Sequence, residues 1–115
     1  MSQPSDIDNM SAEEWGAAMN AVDIVIGKKF DSDKLDWSLL PIEAVEDIIK
    51  VLEFGAKKYS KDNWKCVPDA IHRYQNALVR HVMADMKGEI VDSESGLPHL
   101  SHAACCILFL LSLRD

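Results

Sequence analysis

The sequence predicts an all-α fold, a small bundle of four to five helices, on three observations. Apolar residues recur every three to four positions over long stretches, Gly or Pro falls between those stretches, and no segment alternates apolar and polar residues over the length of a strand. At 115 residues and 48% hydrophobic, the chain has material for one domain with its own core. Residues 1–10 are polar and acidic and are read as a disordered tail, with a single domain over 11–115.

Taken in order, Ser11-Ala-Glu-Glu14 is a capping box, and it opens a short helix carrying Trp15, Met19, Val22 and Ile26 that Gly27 stops. Residues 28–40 form a charged and aromatic connector. Pro41 starts a second helix that runs to about Tyr59. On a wheel of 100° per residue, Ile42, Val45, Ile49, Leu52 and Ala56 make one apolar stripe, and Glu53, Glu46, Lys57, Lys50 and Glu43 follow along its border, with Asp47 across the helix. A polar loop through Trp64 and Pro68 leads to a third helix, about Asp69 to Lys87, with Ile71, Tyr74, Leu78, Val82 and Met86 inward and Gly88 as its stop. After a second polar loop, Glu89 to Gly96, Pro98 starts a last helix to about Leu113 that is apolar almost all round. Such a helix belongs at the centre of a bundle or in a subunit interface, so a homodimer or homotetramer is expected.

Charge and cysteine content narrow the function. A net charge of −7 argues against duplex DNA or RNA as a partner, since counterion release needs a basic face. The longest apolar run, Ala103 to Leu111, is about half a membrane span, and the N-terminus has no signal-like apolar stretch. Three cysteines, two of them adjacent in that apolar run, imply small buried hydrophobes in a reducing compartment. A cytoplasmic location is expected, the host cytoplasm if the chain is phage-encoded.

The chemistry-bearing residues fall into two helical patterns. Glu43 and Glu46, with Glu53 further on, share one helix, and His99 and His102 share another; each close pair has i, i+3 spacing and projects from one side. Acids in such clusters attract a divalent cation, which in turn lets an acidic protein hold an anionic phosphate substrate. The plain alternatives are a surface lattice of these glutamates with Lys50 and Lys57, and core histidines satisfied by neighbours. Arg80 either pairs with Asp85 or takes a phosphate in its planar fork, and the lysines, Lys34 and Lys57 among them, either serve as point charges or are solvated. Trp37, Tyr59 and Trp64 are candidates to stack on a base or to pack in the core. A different metal phosphohydrolase built on His81, Asp85, His99 and His102, and a non-catalytic helical module, are the rival readings. There is no dinucleotide fingerprint and no P-loop.

Lys34-Leu-Asp-Trp-Ser-Leu-Leu-Pro-Ile-Glu-Ala-Val-Glu46, Val51-Leu-Glu-Phe-Gly-Ala-Lys-Lys-Tyr59 and Asp62-Asn-Trp64, followed by Arg80-His81, Gly88-Glu89, Asp92 and Glu94-Ser-Gly-Leu-Pro-His-Leu-Ser-His-Ala103, resemble the phage and bacterial dATP/dGTP diphosphohydrolases of MazZ type. That group is similar to the all-α MazG-like nucleotide pyrophosphohydrolases. The resemblance covers about residues 28 to 113. It implies Mg2+-dependent (or Mn2+-dependent) hydrolysis of a purine deoxynucleoside triphosphate to monophosphate and pyrophosphate. MazG-like enzymes bind metal through Glu-x-x-Glu on one helix and Glu-x-x-Asp on the next. Glu43 and Glu46 match the first pair; in place of the second stand His99 and His102, with Glu89 and Asp92 in the loop before them. The implied metal set is therefore Glu43, Glu46, Asp92, His99 and His102. Glu46 or Glu53 is the expected general base, and Lys34, Lys57, Arg80 and His81 are the expected substrate contacts.

Overall fold

The computed structural model describes residues 26–114, and the expected first helix lies outside them. The chain divides into two units, residues 1–37 and 38–115. Of the first, residues 26–37 are described. They form an irregular segment with a turn in which the Lys34 N–H donates to the Asp31 carbonyl at 3.0 Å.

The second unit is all-α among the described residues, with helices α1 (Ile42–Lys58), α2 (Ala70–Met86) and α3 (His99–Leu113). Short 3-10 turns stand at Trp37–Leu39 and Asn63–Lys65. The ends follow the breakers. Pro41 and Pro98 immediately precede α1 and α3, where their missing N–H costs nothing. Gly88, at φ 94°, closes α2: its N–H bonds the Asp85 carbonyl at 2.9 Å and the Glu89 N–H bonds the Ala84 carbonyl at 3.0 Å. This is a Schellman end, and it needs a residue without a Cβ at that φ.

Helix α3 is the centre. It packs against both α2 and α1, whereas those two hardly touch each other. Ser101, Ala103, Cys105 and Cys106 are buried along it, and small side chains of this kind let the neighbouring backbones approach, as where the Cys105 thiol reaches the Ile48 carbonyl at 3.5 Å. Contacts pair His81 with His99 and Tyr74 with Phe109, and on the other side Phe54 with His102 and Cys105 with Ile48. Both outer helices therefore run antiparallel to α3. Because α1 and α2 run the same way, the connection between them has to travel back along the bundle, and it does so through residues 59–69, where Trp64 stacks on Phe109 at 4.6 Å. A groove remains between α1 and α2 with α3 as its floor.

Two expectations about faces are corrected. On α1 the buried side is centred on Val51, 7% exposed, with Ile48, Phe54 and even Asp47 half-buried; Ile42 and Ile49 of the apolar stripe stay 52% and 47% exposed. On α2, Ile71 and Met86 are exposed, while Tyr74, Leu78 and Val82 lie inward as expected. The reason is the same in both cases. A short, nearly all-apolar α3 offers cover for only one strip of each neighbour, and the remaining apolar residues face outward. No helix among the described residues is long and apolar enough to cross a membrane.

Candidate metal centre

The loop between α2 and α3 is tied down by its own backbone. The Asp92 N–H bonds the Leu97 carbonyl and the His99 N–H bonds the Ile90 carbonyl, both at 2.9 Å, around an antiparallel bridge between Val91 and Pro98. Inside this loop the Asp92 carboxylate oxygen Oδ1 accepts the backbone N–H groups of Glu94 (2.9 Å) and Ser95 (3.0 Å), an Asx turn. Gly96, at φ 72°, completes the reversal. The consequence is that Asp92, supplied by an otherwise irregular loop, is held in a fixed position beside the first turn of α3.

That position faces histidines. His81 of α2 and His99 of α3 approach with their Nδ1 atoms 2.8 Å apart, and Asp92 Oδ2 lies 3.9 Å from the His99 Nδ1. One ligand atom from each of His81, Asp92 and His99 falls within 4.8 Å of the others, a grouping able to hold a metal ion. His102 stacks on His81 at 4.7 Å and shares a 2.6 Å hydrogen bond between its Nε2 and the Ser95 hydroxyl. On the far side of His99, Nε2 is buried with no hydrogen-bond partner among the described residues, and the Glu89 carboxylate stands 3.6 Å from it.

The electrostatics suit a cation. Burial, then the neighbouring His102 and His99, lowers the His81 pKa below the usual histidine value. Burial also lowers His102. Burial pushes the Asp92 carboxyl up, but the two backbone N–H donors outweigh it and hold the group below the ordinary aspartate value. At neutral pH His81 and His102 are therefore neutral imidazoles and Asp92 is a carboxylate, the forms in which these side chains ligate metal. His99 is 6% exposed, and its unpartnered nitrogen is the kind of group a buried site leaves only at a cost of about 1–3 kcal/mol. His99 turns Nδ1 toward the cluster and Nε2 toward the Glu89 carboxylate, which at 3.6 Å stands beyond hydrogen-bond distance. The residues fit a divalent cation.

A cleft of about 940 Å³ opens beside the cluster, lined by His81, Asp92 and His102 at one end and by Arg73 and Asn76 of α2 further along. Glu53, Arg80 and Lys58 also line it, and Lys58 bonds Glu94 across its edge. Arg80 has no ion pair with Asp85 or with any other carboxylate among the described residues.

The expected site residues divide accordingly. Asp92, His99 and His102 come together, and His81, expected as a substrate contact, joins them as a ligand candidate. Arg80 and Glu53 face the same cleft. Glu43 and Glu46 do not: at 1.5 Å per residue they lie about 16 and 12 Å along α1 from Phe54, which touches His102. They are exposed, and Lys50 pairs with Asp47 at 3.6 Å rather than with any of the three glutamates. Lys57 does not line the cleft, where its neighbour Lys58 does, and Lys34 belongs to the other unit. Ser95, Arg73 and Asn76 escaped sequence reasoning. The i, i+3, i+7 spacing of Arg73, Asn76 and Arg80 was the one available signal for the last two.

A family model described as "dATP/dGTP diphosphohydrolase, N-terminal" matches residues 26–115. Over 89 residues the chain is 37% identical to a dATP/dGTP diphosphohydrolase of Salmonella phage PMBT28, covering 77% of this chain and 30% of the phage protein. The chain therefore spans less than a third of that relative's length. No solved structure matches it. The family match, which takes in every described residue of the helical unit, shows that the chain belongs to the dATP/dGTP diphosphohydrolase N-terminal family.

Proposed function

We propose that this chain is a metal-dependent hydrolase of purine deoxynucleoside triphosphates, converting dATP or dGTP to the monophosphate and pyrophosphate. The observation that carries the reading is the convergence of His81, Asp92 and His99 at one end of a cleft that also holds Arg80, which forms no ion pair among the described residues. The phage relative's name supplies the substrate class.

His81, Asp92 and His99 would hold the cation, with His102 against them. A divalent cation supplies Lewis acidity to phosphoryl oxygens and to water. Two imidazoles and one carboxylate favour a transition ion, Mn2+ of the two candidates, over Mg2+, which prefers an all-oxygen shell. Arg80, the residue before His81, presents its planar fork to the phosphates. Glu53 lines the cleft with an exposed carboxylate, which supports it as the group that would take a proton from attacking water. The Asx turn at Asp92 and the Ser95 bond to His102 hold the loop and ring in place before substrate arrives. Glu43 and Glu46 can join this centre only from another copy of the chain.

The outward apolar residues, Ile42 and Ile49 of α1, Val79 and Met83 of α2 and Ile107 and Leu111 of α3, support a homodimer or homotetramer. The nucleotide pool places the work in the cytoplasm. The test is incubation of the common dNTPs with chelator-stripped chain, with Mg2+ or Mn2+ restored, resolving pyrophosphate from phosphate. Metal-dependent pyrophosphate release from dATP and dGTP supports the reading, and absence of turnover with every dNTP and both metals refutes it.

A further inference from the structure

Arg73, Asn76 and Arg80 stand at positions i, i+3 and i+7 of α2, within an arc of about 60° at 100° per residue, and all three line the cleft. Arg80 is beside the histidine cluster. Asn76 lies about 7.5 Å and Arg73 about 12 Å from His81 along the helix axis, toward the end where Tyr74 meets Phe109. Neither arginine forms an ion pair, and the Asn76 amide makes no hydrogen bond, among the described residues. Asparagine in mid-helix is a poor helix former because its amide competes for backbone groups, so an unbonded Asn76 brings α2 no local benefit. Of the rings near the cleft, Trp64 is already stacked on Phe109 at 4.6 Å and 12°, with Lys65 over it as well. Tyr59, which also lines the cleft and is exposed, offers a ring face that any base can stack on, so discrimination between bases falls to groups that read the base edge.

The geometry points to Asn76 and Arg73 as the purine-reading pair, an assignment that rests on the nucleotide reading above. With the phosphates at Arg80 and the cluster, the sugar spans the step to Asn76. An amide matches adenine on its N7 edge, donating to N7 and accepting from the N6 amino group. A guanidinium matches guanine, donating to both N7 and O6. Together the two residues serve both purines, and cytosine and thymine have no N7 to offer. One cleft thereby takes dATP and dGTP and discriminates against pyrimidines.

The experiment compares wild type, Asn76→Ala and Arg73→Ala, all as the full chain, on dATP, dGTP, their 7-deaza analogues and dCTP. Equilibrium binding of dAMP and dGMP serves as a readout independent of turnover. In wild type, loss of N7 should lower kcat/KM about 5- to 150-fold, the range a good bidentate contact confers. Asn76→Ala should weaken dATP turnover and dAMP binding by a similar factor and erase the 7-deaza-dATP penalty, and Arg73→Ala should do the same on the guanine side. Both positions are exposed, so melting temperatures should be unchanged. Wild type that hydrolyses purine triphosphates while both variants keep its 7-deaza penalties and its dATP-to-dGTP ratio overturns this assignment alone. Wild type that hydrolyses no dNTP overturns the assignment together with the nucleotide reading of the cleft.

Discussion

Replacing Asp92 separates its two jobs. Its Oδ1 accepts two backbone N–H groups at 2.9 and 3.0 Å, and its Oδ2 faces His99. Asp92→Asn keeps an amide oxygen for the turn and removes the charge; Asp92→Ala removes both. A hydrogen bond to a charged acceptor is worth about 1.5–3 kcal/mol and a neutral one about 0.5–1.5; with the part-buried Ser95 bond counted in full and the solvent-exposed Glu94 bond only in part, Asn should cost about 1–2 kcal/mol and Ala about 2–4 in the metal-free protein. At about 4–8 °C per kcal/mol for a domain of this size, the two melting temperatures should fall by about 4–16 °C and about 8–32 °C. Mn2+ at a hundred times its Kd should stabilise wild type by about 2.7 kcal/mol. Neither variant should show that gain. The assay is thermal melting of chelator-stripped protein with and without Mn2+. A full metal-induced shift in Asp92→Asn would refute Asp92 as a ligand, and equal melting of the two metal-free variants would refute the role of the turn.

Protonation gives a second test. His81 and His102 have folded pKa values below the unfolded one, so between the two values the unfolded chain binds more protons and stability rises with pH. The metal-free protein should lose stability as pH falls through about 6.5 and below, and His81→Gln should flatten that slope; an unchanged slope contradicts it. The Asp92 contribution, from a depressed pKa, should fail only at lower pH, below the ordinary aspartate value. Cysteine labelling probes packing: Cys105, its pKa pushed up to about 12 by burial, and buried Cys106 should resist iodoacetamide at pH 8, while exposed Cys66 reacts. One thiol should label in the native protein and three after unfolding, and rapid native labelling of all three would contradict the packing of α3. Phe109→Ala removes the ring that Trp64 and Tyr74 pack on and should cost about 2–3 kcal/mol, with a red shift in tryptophan emission. An unchanged melting temperature would show that the returning connection is not anchored there.

The helices were legible because their punctuation is local. Pro41, Gly88 and Pro98 mark ends that lie within a residue or two of the observed ones, and each acts through its own backbone chemistry. Which face of α1 is buried was not legible. A periodic stripe reports that Ile42 and Ile49 want cover, yet it cannot say whether α3 or another chain supplies it. His99 and His102 showed themselves by spacing on one helix. Their partner His81 lies on α2, and the register that joins them depends on the Schellman end at Gly88 and the Asx turn at Asp92 acting together. The acidic pair Glu43 and Glu46 was equally visible, but a rigid helix keeps it a dozen ångströms or so from the cluster, a separation that only three-dimensional packing reveals. The capping box at Ser11 falls outside the described residues.

The most direct test of the central claim is a crystal structure of the full chain grown with Mn2+, with diffraction recorded for the anomalous signal of manganese. An anomalous peak enclosed by His81, Asp92 and His99 is the predicted result. A peak at Glu43 and Glu46 with none at the histidines would contradict it and return the metal to the acidic face of α1.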